Sequence, residues 1–189
     1  MEAWLVILIV LGVALLGVAL FVISIYNRLV TLRQTLKDSW SGVDVELKRR
    51  YDLIPNLVNT VKGYASHERE TLEKVIQARN TAMANHGSAE SQAKDENMLV
   101  GALRSVFALA EAYPELKADT QFSALQAELS NTEDRIAAAR RFYNGNVRSL
   151  NQLVRQFPSN IIAGMFGFEV ATYFEIEDAA MRQNPQVAF

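Results

Sequence analysis

The chain has 189 residues, half of them hydrophobic, with 19 basic against 21 acidic side chains, a formal net charge of −2 and no cysteine. That balance argues against nucleic acid as a bulk partner, which selects for a strongly basic surface. Without cysteine the chain holds no disulfide and no Cys-ligated metal, a composition compatible with either side of a membrane.

The first element is the run from Ala3 to Ile25, which carries no charged residue. As a helix, Ala3 to Ile23 spans roughly 31 Å, the thickness of a bilayer's hydrocarbon core. The run is too long for the apolar core of a signal peptide, and Met1-Glu2 is not the basic start that such a peptide needs. It is apolar on every face, unlike a helix packed on one side of a soluble core. A transmembrane anchor over residues 1–25 is therefore expected, with Trp4 and Tyr26 at the two interfaces. Gly12 and Gly17 are five apart and do not form the spacing that pairs helices through small residues. Arg28, Arg33 and Lys37 follow the run, so the positive-inside tendency puts the bulk of the chain in the cytoplasm.

Sparse glycine and proline divide the rest into four amphipathic helices, at about 26–51, 53–85, 92–112 and 120–157. In the first, Leu29, Leu32, Leu36, Trp40, Val43 and Leu47 share a face. Pro55 breaks this pattern, with Asp52 able to cap a new start. The second helix carries Leu57, Val61, Tyr64, Leu72, Val75 and Ile76, and its apolar face thins around Ser66–Glu70. A loop at 86–91 leads to the third helix, with Leu99, Leu103, Val106 and Ala110 inward. A turn at 113–119 ends in the capping residue Asp119. The fourth helix repeats Phe122, Leu125, Leu129, Thr132, Ile136, Ala139, Tyr143, Asn146, Leu150, Leu153 and Phe157 at alternating steps of three and four, a heptad seam. Its polar members either fix register or face a wet edge. The expected fold is all-α: one N-terminal transmembrane helix, then an antiparallel up-down four-helix bundle with long coiled-coil-like helices. Unequal helix lengths imply that one end of the bundle thins to two or three helices.

Several motifs resemble the LemA family of bacterial membrane proteins. They are Tyr26-Asn27-x-Leu29-Val30, Trp40-Ser41-x-Val43-Asp44-Val45, Lys48-Arg49-Arg50-x-Asp52-Leu53-Ile54-Pro55-Asn56-Leu57, Tyr113-Pro114-x-Leu116-Lys117-Ala118, Arg140-Arg141-Phe142-Tyr143-Asn144 and Phe157-Pro158-Ser159-Asn160. The resemblance covers nearly the whole chain and implies a membrane-anchored, mostly cytoplasmic or surface-facing helical bundle; the expected location is a bacterial inner membrane, crossed once. It implies no reaction.

Candidate chemistry is thin. A di-iron bundle uses Glu-x-x-His on two helices, whereas here His67 precedes Glu70 and His86 lies in a loop. No HExxH, glycine-rich phosphate loop or Gly-x-Ser-x-Gly is present. His67, Glu68, Arg69, Glu70, Glu73 and Lys74 read as a solvated, salt-laced helix face. On a straight helix Lys48-Arg49-Arg50 would lie ~35 Å past Ile25, several Debye lengths from the membrane, so salt pairs with Asp44, Asp52 or a bundle neighbour are expected there. The chain reads as a non-enzyme with no cofactor, metal or small-molecule substrate.

The C-terminal 32 residues, 158–189, read as an apolar stretch followed by an acidic tail. In an up-down bundle the fourth helix returns toward the membrane, and Ile161, Ile162, Met165, Phe166 and Phe168 arrive at that end. They either lie on the bilayer, dock on another subunit, or plug their own bundle. From Glu169 onward four carboxylates face Arg182, and Tyr173, Phe174 and Ile176 suggest anchors on a tail of the kind that often orders against a partner. The expected function is a membrane-anchored scaffold or adaptor that self-associates and docks other membrane proteins. A membrane-linked signalling protein and a carboxylate-metal enzyme are the alternatives.

Overall fold

The structure is a computed structural model, and it describes residues 2–176. Its regular elements are α1 (Glu2–Tyr64), α2 (Arg69–Ala84), α3 (Ala89–Ala112), α4 (Pro114–Ala118), α5 (Thr120–Arg155) and α6 (Ser159–Met165). All are helices, as the sequence leads one to expect.

The boundaries of the first two helices differ from that expectation. The anchor, the first predicted helix and the beginning of the second form one uninterrupted helix, α1, with Pro55 in its interior. Proline lacks an N–H, so the carbonyl four residues earlier loses its helical partner. That carbonyl belongs to Tyr51, and Arg79 Nε donates to it at 2.6 Å. A side chain from α2 thus supplies the hydrogen bond that Pro55 cannot. The helix breaks instead at residues 65–68, where the apolar pattern thins. His67 is exposed in that turn, not on a helix face.

Local capping explains the other starts. Ser88 Oγ accepts from Ser91 N at 3.2 Å and opens α3. Asn85 Oδ1 accepts from Gly87 N at 2.8 Å and shapes the preceding turn. Pro114 occupies the first turn of α4. Asp119 Oδ1 accepts from Phe122 N at 2.7 Å and caps α5.

The described residues divide into two compact units, 2–40 with 144–171, and 41–143 with 172–176. In the second unit Val43, Leu47, Ile54, Leu57 and Val61 of α1 are buried, as are Leu72 and Val75 of α2. So are Leu99, Leu103 and Val106 of α3 and Phe122, Leu129 and Ile136 of α5. Tyr64 and Ile76, expected inward, are exposed. Within this unit α1 and α5 run antiparallel: Tyr64 bonds Asp119, Arg49 pairs with Glu128, and Glu46 with Arg135. The other unit is built on two long helices, α1 and α5, with α6. Leu29, Leu150, Leu153, Ile162, Ala163 and Phe168 form its core, flanked by Val22, Ile25, Leu32 and Leu36.

The heptad seam of α5 faces inward as far as Leu153. Phe157 does not belong to it: α5 ends at Arg155 and Phe157 is exposed. Of the polar members, Thr132 is fully buried and its hydroxyl donates to Glu128 O at 2.8 Å. Tyr143 is buried and donates to Thr172 O at 3.1 Å.

The segment after α6 is ordered on its own chain. Asn151 brackets Ala171, donating to its carbonyl at 2.9 Å and accepting from its N–H at 2.7 Å. In the second unit Arg140 donates to Ile176 O at 2.5 Å, and Phe174 is fully buried. Within residues 169–176, Ala171, Thr172 and Ile176 thus bond to α5 and Phe174 is buried, while Val170 and Tyr173 are exposed. The rest of the predicted acidic tail, with Arg182, lies outside the described residues.

Candidate functional site at the end of the apolar run

From Trp4 to Ile23 the large apolar side chains of α1 are exposed or nearly so all round the helix. An 18-residue window there has a mean hydropathy of 3.3 and no buried residue, so the segment is long and apolar enough to cross a membrane. Ala3, Trp4 and Ile25, the residues expected in the span, all lie on this one helix. Self-burial begins at its last turns, where Val22 and Ile25 pack against the core formed with α5 and α6.

The segment from Phe157 to Phe168 meets α1 at that level. Ser159 Oγ lies 2.6 Å from Leu153 O and 2.8 Å from Gln156 O and shares its one proton between them, bonding the start of α6 to the end of α5. The end of α6 is set by Gly167, whose φ of +67° lies in the left-handed region. Phe168 N then bonds Ala163 O at 2.9 Å and Gly167 N bonds Gly164 O at 3.4 Å, the paired closure typical of a glycine-terminated helix. The turn sends neighbouring rings different ways. Phe168 enters the core under Arg33, whose guanidinium lies 4.7 Å from the ring centroid. Phe166 stays half-exposed against Tyr26, with centroids 4.7 Å apart.

The five residues expected as one contact surface thus divide. Ile162 and Phe168 are buried, because α6 is a single short helix whose inner face must cover Leu29 and Leu153. Ile161, Met165 and Phe166 remain outward, joined by Phe157.

A second constellation is buried in the other unit. Arg50 is completely inaccessible and bonds Glu96, which is equally buried, and Glu133 at 2.6 Å. Tyr51 OH also bonds Glu96. Gln92 Nε2, with two hydrogens to give, lies 2.8 Å from Glu96 Oε1, 3.0 Å from Ala82 O and 3.1 Å from Tyr51 OH. Burial alone would lower the Arg50 pKa, but Glu96 and Glu133 outweigh it and hold the guanidinium firmly charged. Burial, reinforced by Glu96, raises the Tyr51 phenol well above its ordinary range. Arg50 therefore pairs with bundle neighbours, one of the outcomes expected for the Lys48-Arg49-Arg50 run. Glu96 and Gln92 escaped the sequence reading. The signal was there: they continue the inward stripe of Leu99, Leu103, Val106 and Ala110 toward the start of α3, at steps of three and four.

This network joins one guanidinium, two carboxylates and the Tyr51 hydroxyl through hydrogen bonds. Among the described residues no group of three or more His, Cys, Asp or Glu side chains could hold a metal ion. A groove of about 430 Å³ runs between α3 and α5, lined by Leu103, Arg104, Phe107, Leu129 and Arg140 among others.

A sequence model of the LemA family matches residues 39–189. The chain belongs to the LemA family. The family match takes in the Arg50–Glu96–Glu133 network and α6, and it begins beyond the apolar run. Among related proteins, the LemA protein of Metamycoplasma hominis is 29% identical over 141 residues, covering 72% of this LemA-family chain and 63% of that protein. The magnetosome protein MamQ 2 of Paramagnetospirillum magneticum is 25% identical over 195 residues, covering 88% of this chain and 72% of its own. MamQ of Magnetospirillum gryphiswaldense is 23% identical over 197 residues, with 89% and 72% covered.

Proposed function

We propose that this LemA-family protein is a membrane-anchored, non-catalytic scaffold that self-associates and docks other membrane proteins. In this reading residues 3–25 span a bacterial inner membrane once and the remainder lies in the cytoplasm. The observation that carries it is the continuity of α1. The helix passes without a break from an all-round exposed apolar stretch into Leu29 and Leu36, which pack in the core of the same unit. An exposed surface of that kind fits lipid, and a helix that then packs into a folded unit fits an anchor built into the domain.

The arrangement of charged residues supports a role without chemistry. The most deeply buried acidic and basic groups neutralise one another instead of facing a cleft. Exposed apolar side chains beside the anchor favour contact over catalysis. Native mass spectrometry of the full chain released from nanodiscs tests the reading. Oligomers or a stoichiometric co-purifying membrane protein are expected, and a strict, partner-free monomer would overturn it. Stoichiometric iron, manganese or zinc would instead favour a carboxylate-metal enzyme.

A further inference from the structure

We infer that the outer face of α6 and its flanks is a second membrane contact, which lies in the bilayer interface beside the point where α1 leaves it. The inference rests on the anchor reading of α1 and adds a defined lipid-facing surface to it.

Three observations converge. First, Phe157, Ile161 and Met165 follow one another at four-residue steps and are 75%, 54% and 74% exposed. Phe166, half-exposed, extends the same apolar surface. From Gln156 to Phe168 there is no charged side chain, and Arg155 and Glu169 stand at the ends. Solvent contact with so many large apolar groups in one short segment is unfavourable, and such patches mark sites of contact.

Second, the depth of this patch is set by direct packing. Val22 and Ile25, in the last turn of the apolar run on α1, border the core that contains Ile162, Ala163 and Phe168. Phe166 touches Tyr26, the aromatic residue that follows the run. The inner face of α6 is therefore fastened to the final turns of the apolar segment, and its outer face is at the same level. When residues 3–25 occupy the hydrocarbon core, Ile161, Met165 and Phe166 lie at its edge, where aromatic and apolar side chains partition readily.

Third, the apolar surface is continuous. The exposed side chains of α1 up to Ile23 and those of α6 are joined through Tyr26 and Phe166. No charged residue occurs from Ala3 to Asn27 on α1 or from Gln156 to Phe168, so neither half of this surface carries a charge of its own. This continuity selects the bilayer over a soluble partner as the occupant.

The absence of native cysteine makes a depth measurement direct. Single-cysteine variants I161C, M165C and V13C of the full chain, with K74C as an aqueous control, are labelled with an environment-sensitive fluorophore. They are reconstituted in phosphatidylcholine–phosphatidylglycerol vesicles, with and without lipids spin-labelled near the headgroup or in mid-chain. Blue-shifted emission at I161C and M165C, lost mostly to the shallow spin label, is the expected result, with V13C quenched by the deep one and K74C by neither. Water-like emission at I161C and M165C with V13C quenched would overturn the second contact and leave the anchor intact. Blue-shifted emission that no spin-labelled lipid quenches would overturn it in favour of a protein neighbour on the face. An unquenched V13C would overturn the anchor and this contact together.

Discussion

Arg79 Nε donates to the carbonyl oxygen of Tyr51 at 2.6 Å, and that carbonyl is the one Pro55 leaves without a helical partner. This single bond from α2 joins two facts that would otherwise conflict, a proline in a helix interior and a helix that does not end there. It also ties α2 to α1 at a fixed height. Substituting R79M should remove about 1–3 kcal/mol of stability by leaving a carbonyl poorly satisfied. In a P55A background the restored amide at position 55 can take the same carbonyl, so the R79M cost should fall by more than half. Urea denaturation of the four proteins of this cycle measures the coupling. Additive losses would show that Arg79 acts for some other reason.

Arg50 and Glu96 form a buried pair whose members cannot be removed singly without a large penalty. E96A leaves a guanidinium in the interior with only Glu133, which is partly exposed, and should cost about 3–5 kcal/mol. The double substitution R50M/E96L removes both charges and should lie within a few kcal/mol of the parent, on either side. Equal losses for E96A and the double variant in denaturant melts would contradict the pair as the source of the effect.

Tyr51 gives a pH-dependent signature of the same network. Its phenol titrates near 10.0 when unfolded and well above that when folded, because of burial and the adjacent Glu96. Stability from this group is complete below the unfolded value and is lost as pH rises toward the folded one. Y51F should be less stable at neutral pH, having lost bonds to Glu96 and Gln92. It should also show a flatter decline on the alkaline side, read from denaturation midpoints across that range. An unchanged alkaline slope would rule out Tyr51 as its cause.

Asp119 governs the acid side at the start of α5. Its carboxylate is held below the ordinary 3.8 by the N–H of Phe122 and then by the Tyr64 hydroxyl. Stability from it is present above the unfolded value and is lost as pH falls through the folded one. Asparagine also caps helices but does not titrate. D119N should therefore fold at neutral pH and show a weaker loss of stability on acidification than the parent, measured by thermal melts at decreasing pH. A parallel acid limb would remove Asp119 from the account.

Gly164 and Gly167 are three residues apart, and a methyl group added at either would meet open space. Their backbones differ: Gly164 is helical and Gly167 has φ of +67°. G167A should cost about 1–2 kcal/mol through left-handed strain. G164A should gain up to about 1 kcal/mol by restricting the unfolded chain. Opposite signs in the thermal stability of the two variants are the check, and a matched pair of losses would point to a different constraint.

The apolar run, the helical class and the inward stripes were legible in the sequence because each depends on local periodicity. Twenty or more uncharged residues in a row, or large apolar groups at three- and four-residue steps, have few physical solutions. The same reading set a break at Pro55, because proline's missing N–H is a local fact and Arg79 is 24 residues away. Ile162 and Ile161 are neighbours of one type, and only the packing of α6 on Leu29 and Leu153 decided that the first is core and the second is surface. Glu96 is likewise an ordinary glutamate until α1 brings Arg50 and Tyr51 to it. The sequence by itself determined where this chain is apolar and helical. The tertiary structure decided which of those apolar groups are exposed and which charges are buried, because both depend on partners distant along the chain.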